Sequence, residues 1–184
     1  MADHVCRPWV GRLLLSPLRK LVENPKKIFA PFVNEGMVVL EPGCAMGFFT
    51  LPLARMVGPE GRVIAVDIQP DMLAALDRRA RKAGLIDRLD IREAGSEGLG
   101  IADLARSADF CTLIHVAHEV PDQVHLFSEI SNTLKPGGRL LVIEPDWHVT
   151  PEEFEISLSA ATAAGLRRIE SANVQKGRKA LFER

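Results

Sequence analysis

The sequence predicts an α/β fold built on a mostly parallel sheet, and three observations carry that prediction. Short runs rich in β-branched residues alternate with helical stretches, the order produced by strands joined through crossover helices. One run ends in an acid followed by a turn of small residues, Glu41-Pro42-Gly43-Cys44-Ala45-Met46-Gly47. The last two runs are connected too closely for a crossover, so they pair antiparallel.

Met37–Leu40 reads as the first strand, followed by a helix around Phe48–Val57. Pro52 is tolerated there because first-turn amides have no helical partner. Gly58-Pro59-Glu60-Gly61 is a turn into the second strand, Arg62–Val66, which ends at Asp67. Pro70 and Asp71 open a helix through Ala83, with Met72, Leu73, Leu76 and Ala80 at helical spacing and Gly84 as its stop. Leu89–Arg92 is a weaker third strand, and Gly98–Arg106 a short helix. Ala108–His115 is the fourth strand. Asp122–Leu134 is a helix with Val124, Phe127, Ile130 and Leu134 facing inward. Lys135-Pro136-Gly137-Gly138 turns sharply into the fifth strand, Arg139–Ile143. A helix over Pro151–Ala164 precedes the closing pair, Leu166–Val174 and Arg178–Glu183, with a tight turn at Lys176-Gly177.

Ahead of the first strand, Trp9, Val10, Leu13, Leu14, Leu18 and Leu21 make an apolar helical stripe interrupted near Pro17. Asn24-Pro25 suits the N-cap and first position of a further helical turn through Phe32. Residues 1–36 therefore read as a helical cap segment, and 1–184 as a single domain.

Bulk properties narrow the function. The chain has 184 residues, 47% apolar and 26% charged, with a formal net charge of −1. That balance argues against a nucleic-acid binder held by bulk electrostatics. Residues 1–36 carry six Lys/Arg against three Asp/Glu, which reads as a solvated helix face. Cys6, Cys44 and Cys111 are too few and too widely spaced for a disulfide framework or a Cys-x-x-Cys metal pair. This suits a reducing cytoplasm. The N-terminal stretch does not read as a signal peptide, and no run approaches the ~20 apolar residues of a membrane span.

The turn at Glu41–Gly47 carries the functional argument. Ligands of open α/β sheets bind beyond the carboxyl ends of the strands. Small residues let the backbone approach a ligand, a helix N-terminus offers free amides to a carboxylate, and an acid at the strand end can meet an amino group. A dinucleotide site needs Gly-x-Gly-x-x-Gly/Ala. Counting from Gly43, Phe48 occupies the third small position, so that register fails. The register Glu/Asp-x-Gly-x-Gly-x-Gly matches at Glu41, Gly43 and Gly47, with Ala45 at the middle glycine. Asp67 lies 24 residues after Gly43 at the second strand's end, where an acid can accept both ribose hydroxyls of an adenosine.

With these residues in view, the chain resembles class I S-adenosylmethionine (SAM)-dependent methyltransferases from about Pro25 onward. VVLEPGCAMGFFT is similar to their first motif and RVIAVDIQPDML to their second. ADFCTLIHVAHEVPD is similar to the fourth-strand motif and LKPGGRLLVIEP to the turn and fifth strand. The resemblance is greatest to small enzymes of the ubiquinone/menaquinone C-methyltransferase-like group. It implies a Rossmann-like, doubly wound, seven-stranded sheet with the last strand antiparallel and helices on both faces. It further implies that Glu41, Gly43, Ala45 and Gly47 cradle the methionine half of SAM and that Asp67 takes the ribose. Ile68 and Met72 would pack near the adenine, Gly95 and Ser96 would border it, and His115 would lie under the cofactor. The product would be S-adenosyl-L-homocysteine.

His115, His118 and Glu119 invite a metal reading, but the segment leaves a strand and the side chains need not converge, so no metal is expected. His118 is instead the candidate base for a protonated methyl acceptor, with Glu119 second; a histidine at a helix start with no chemistry is the plain alternative. Trp147 and His148 either wall the substrate pocket or pack. Cys44 reads as a small buried residue. The fourth-strand slot lacks Asn/Asp/Ser-Pro-Pro-aromatic, and no Pro-Cys pair appears. A small-molecule acceptor is therefore expected, with no nucleic acid or membrane partner and a monomer or homodimer. Two alternatives stand beside this reading: a non-catalytic SAM-binding module, and an NAD(P)-dependent oxidoreductase.

Overall fold

A computed structural model of the chain describes residues 23–169 and 177–184. The apolar stripe Trp9–Leu21, Cys6 and Lys176 lie outside the described residues. Strands β1 (Val38–Pro42), β2 (Arg62–Asp67), β3 (Leu89–Glu93), β4 (Ala108–Ile114), β5 (Leu134–Glu144), β6 (Arg167–Ile169) and β7 (Arg178–Glu183) make a seven-stranded sheet in the order β3-β2-β1-β4-β5-β7-β6. The described residues divide into two compact units, one ending at Gly95 and the other beginning at Ser96.

The first unit begins with α1 (Pro25–Phe29), where the Asn24 side chain accepts from the amides of Lys26 and Lys27. This is the expected cap, but the helix ends at Phe29 rather than Phe32. β1 (Val38–Pro42) pairs parallel with β2 (Arg62–Asp67), and β2 pairs parallel with β3 (Leu89–Glu93). The intervening helices are α2 (Thr50–Met56) and α3 (Pro70–Ala83). Helix α3 buries Met72, Leu73, Leu76 and Ala80, each large side chain contributing about 1.5–3 kcal/mol by leaving water. It stops at Gly84, which takes the left-handed conformation. Helix α2 starts two residues later than the sequence suggests and spans only seven residues.

The second unit holds β4 (Ala108–Ile114), α4 (Gln123–Thr133), β5 (Leu134–Glu144), α5 (Pro151–Ala163), β6 (Arg167–Ile169) and β7 (Arg178–Glu183). β5 runs parallel to β4, while β7 runs antiparallel to both β5 and β6. Thr150 and Glu153 form a reciprocal capping box on α5.

Three expectations need correction here. Val124 is 49% exposed, whereas Leu126, Phe127 and Ile130 are buried. A spacing of three drifts off a stripe of period 3.6, and the buried face is set by the neighbouring pair Leu126 and Phe127. The short helix expected over Gly98–Arg106 is only a 3₁₀ turn at Ala102–Leu104. Its front end is tied down instead, with the Leu99 amide donating to the Glu129 carboxylate. Finally, Lys135–Gly138 is not a turn before a strand but a bulge within β5. Partners run Ala108 to Leu134 and then Phe110 to Arg139, so β5 spends five residues where β4 spends two. Glycine is required there: a Cβ on Gly138 would lie 2.9 Å from the Lys135 carbonyl. Arg184 clasps the bulge, its amide donating to Gly138 O and its guanidinium to Leu134 O, while its own carbonyl accepts from Gly137.

Candidate functional site

The turn after β1 is held from within its own unit. The amides of Gly43 and Cys44 both donate to Val66 O, at 2.8 and 3.0 Å. The Ala45 amide donates to Asp67 Oδ2 at 2.8 Å, and the Gln69 amide to Asp67 Oδ1 at 2.9 Å. Arg79 reaches from α3 to the Met46 carbonyl. Several amides that the sequence suggested would be free for a ligand are thus engaged by β2 and Asp67. Asp67 is not an N-cap; Gln69 holds that position. Each Asp67 oxygen keeps a further lone pair for an outside donor.

Ala45 has φ +45°, a left-handed backbone that disfavours an L side chain. Gly47 has φ +81°, and a Cβ there would sit 2.4 Å from Leu76 Cδ1. Its lack of a side chain thus serves the approach of α3 to the turn.

Glu41 is buried and its Oε2 has no hydrogen-bond partner among the described residues. Burial raises its pKa from 4.5 to about 8. The nearby Thr50 hydroxyl opposes that rise without reaching hydrogen-bond geometry, and Asp67 adds to it. An unpaired buried carboxyl oxygen is costly, and it is an acceptor to which a ligand ammonium can donate. Asp67 is also raised, chiefly by burial, with the amides of Gln69 and Ala45 pulling back. Burial pushes the Cys44 thiol well above its usual range, so it is an inert packing residue.

The remaining cofactor candidates are placed as follows. Ile68 is 50% exposed, whereas Met72 is fully buried in the core; of the two, only Ile68 presents surface. Gly95 and Ser96 are exposed just after β3. His115 is half-buried at φ +59°, and its amide donates to Ile143 O.

In the second unit, His118 sits on a one-turn 3₁₀ helix, Ala117–Glu119. Its Nδ1 lies 2.6 Å from Oε2 of Glu144, whose side chain is fully buried at the end of β5. The Ala117 amide donates to Glu144 Oε1 at 2.8 Å. Glu144 raises the pKa of His118; burial opposes this, and Glu119 and Glu153 assist. The His148 ring meets the His118 ring edge-on at 5.1 Å, and Trp147, 86% exposed, lies 5.5 Å from His148. Glu119 is exposed. Glu144 was missed by sequence reasoning. The one available signal was its place at a strand end, which it shares with Glu41 and Asp67. Among the described residues no cluster of three potential metal ligands forms, and no helix is long and apolar enough to cross a membrane.

The model of the methyltransferase domain family matches residues 33–179. The chain belongs to that family. It is 31% identical to a demethylmenaquinone methyltransferase of Lactobacillus johnsonii, over 68% of this chain and 51% of that one. It is 33% identical to a ubiquinone/menaquinone biosynthesis C-methyltransferase of Klebsiella pneumoniae, over 61% and 44%. The chain thus spans about half the length of these curated relatives. A crystal structure of a SAM-dependent methyltransferase from Aquifex aeolicus superposes with a TM-score of 0.81 at 25% identity, covering 97% of each chain. The expected seven-stranded fold stands, and it is the fold of that SAM-dependent Aquifex enzyme. The Glu41 orphan oxygen and the turn that frames it fit SAM as a cofactor.

Proposed function

We propose that this methyltransferase transfers the methyl group of SAM to a small-molecule acceptor. The observation that carries this is the buried, unpartnered Glu41 Oε2, beside Asp67 at the ends of adjacent parallel strands. Glu41, Gly43, Ala45 and Gly47 would hold the methionine half, with Glu41 accepting from its ammonium. Asp67 would take the ribose hydroxyls through the lone pairs left after the Ala45 and Gln69 bonds. Ile68, Gly95, Ser96 and His115 complete the proposed cofactor set, while Met72 packs in the core rather than against the ligand. When bound, SAM supplies a sulfonium-activated methyl group, so the protein's main task is alignment, for which orientation can supply roughly 7–11 kcal/mol.

Between the two candidate bases the geometry favours His118. It is tied to a buried carboxylate, whereas Glu119 is exposed and adds negative charge that keeps His118 basic. The near-neutral net charge of the chain supports a small-molecule acceptor over nucleic acid. The few, widely spaced cysteines of the sequence support a cytoplasmic setting.

Calorimetric titration with SAM and S-adenosylhomocysteine, on wild type and Asp67→Ala, tests the reading. We expect micromolar binding that weakens at least about tenfold in the variant, or about 1.4 kcal/mol. No binding of either ligand to folded wild type would sink it and bring NAD(P) forward as the next ligand to titrate.

A further inference from the structure

The carboxylate of Glu144 is committed twice. Oε1 accepts from the Ala117 amide at 2.8 Å, and Oε2 faces His118 Nδ1 at 2.6 Å. A carboxyl group that already accepts an amide proton on one oxygen is well suited to be the ionised acceptor on the other. The Ala117–Glu119 turn is therefore pinned to the end of β5 by the same group that meets the ring. The Ala117 residue is wholly buried, so the anchor point cannot swing out without opening packed structure. On its other side the ring is braced edge-on by His148. His148 is itself carried on a turn in which its amide donates to Pro145 O. The His118 side chain is 17% exposed, and its Nε2 makes no hydrogen bond among the described residues.

We propose that Glu144 is a positioning residue for methyl transfer: it holds neutral His118 as the Nδ1–H tautomer, leaving Nε2 as the atom that takes a proton from the acceptor. This rests on the methyltransferase reading above and extends it to the acceptor class. The acceptor is one that arrives with a proton on the atom to be methylated. The bond from that atom to the methyl carbon forms while the carbon–sulfur bond breaks, and its electron pair stays on sulfur. The acceptor's proton moves to His118 Nε2 and then to solvent. Glu144 accepts the Nδ1–H bond before and after. The charged and titratable groups facing His118 are Glu144 from β5, Glu119 from its own turn, Glu153 from α5 and His148 from the following loop. Three of these are carboxylates, and all three favour the imidazolium that forms when Nε2 takes the proton.

Nitrogen-15 NMR of the histidine rings in the full chain tests this without an acceptor. His118→Asn identifies the signal by its loss. In wild type the neutral ring should show a protonated Nδ1 and a bare Nε2. In Glu144→Gln the proton affinity of His118 should fall about tenfold or more, the usual effect of losing an opposite charge at this distance. Glu144→Asp should recover part of it. A neutral wild-type ring protonated on Nε2 would overturn the proposal, and that measurement needs no substitution at Glu144, only the folded His118→Asn protein for assignment. An unchanged titration in folded Glu144→Gln would overturn it too. Neither outcome touches SAM binding, so a failure here is separable from a failure of the proposed function.

Discussion

Replacing Glu41 by Gln separates what the turn after β1 costs from what it does. The side chain is 4% exposed and its carboxyl pKa is raised from 4.5 to about 8. Between those values the native state binds a proton that the unfolded chain has lost. Stability therefore falls as pH rises, and is fully present only below the unfolded pKa. Each pH unit in that window is worth about 1.4 kcal/mol, so wild type loses about 3 kcal/mol by pH 7 and about 4 by pH 8, where the native carboxyl is half ionised. Gln is nearly isosteric and does not titrate. Urea denaturation of both proteins at pH 5, 6, 7 and 8 should show their difference swinging toward the variant as pH rises. The same substitution removes the acceptor proposed for the cofactor ammonium, so SAM binding should weaken. In wild type, SAM would release about nine-tenths of a proton at pH 7, read by calorimetry in buffers of differing ionisation enthalpy. Parallel pH dependences for the two proteins would refute the argument, because they would mean that Glu41 ionises in the native state as it does in the unfolded chain.

Two substitutions test the backbone. Ala45→Gly relieves a left-handed alanine at φ +45°; after the extra unfolded-state entropy of glycine, we expect a gain of about 0.5–1 kcal/mol in urea midpoint analysis. Gly138→Ala forces a Cβ to 2.9 Å from the Lys135 carbonyl and 3.2 Å from Ala108 O. It should cost about 1–3 kcal/mol, and an unchanged thermal midpoint would contradict the bulge described for β5.

How far the sequence could be read follows the range of the interactions. α3 was legible to the residue because its proline start, glycine stop and apolar spacing are all local. The same holds for the acids closing β1 and β2, since each directly follows an apolar run. The face of α4 was misread because Val124 and Leu126 both fit a short apolar pattern, and only packing chooses between them. The bulge in β5 was missed because Lys-Pro-Gly-Gly has the composition of a turn; its true form depends on Arg184, far along the chain. His118 was noticed, but its partner was not. Twenty-six residues separate it from Glu144, and no periodicity links positions brought together by strand pairing.

The order β5-β7-β6 sets a problem of timing during synthesis. β6 is made before β7, yet β7 is the strand that separates it from β5. Until residues 178–183 have left the ribosome, the apolar β5 segment Leu140–Ile143 offers an open edge, the kind of edge that recruits another chain. β6 is poorly suited to fill it in the meantime. Among the described residues it spans Arg167–Ile169 and begins with two arginines, charges of the type that resist pairing out of turn. A nascent chain of this protein thus carries its own guard against premature closure, placed on the strand that would otherwise be first to take the wrong seat.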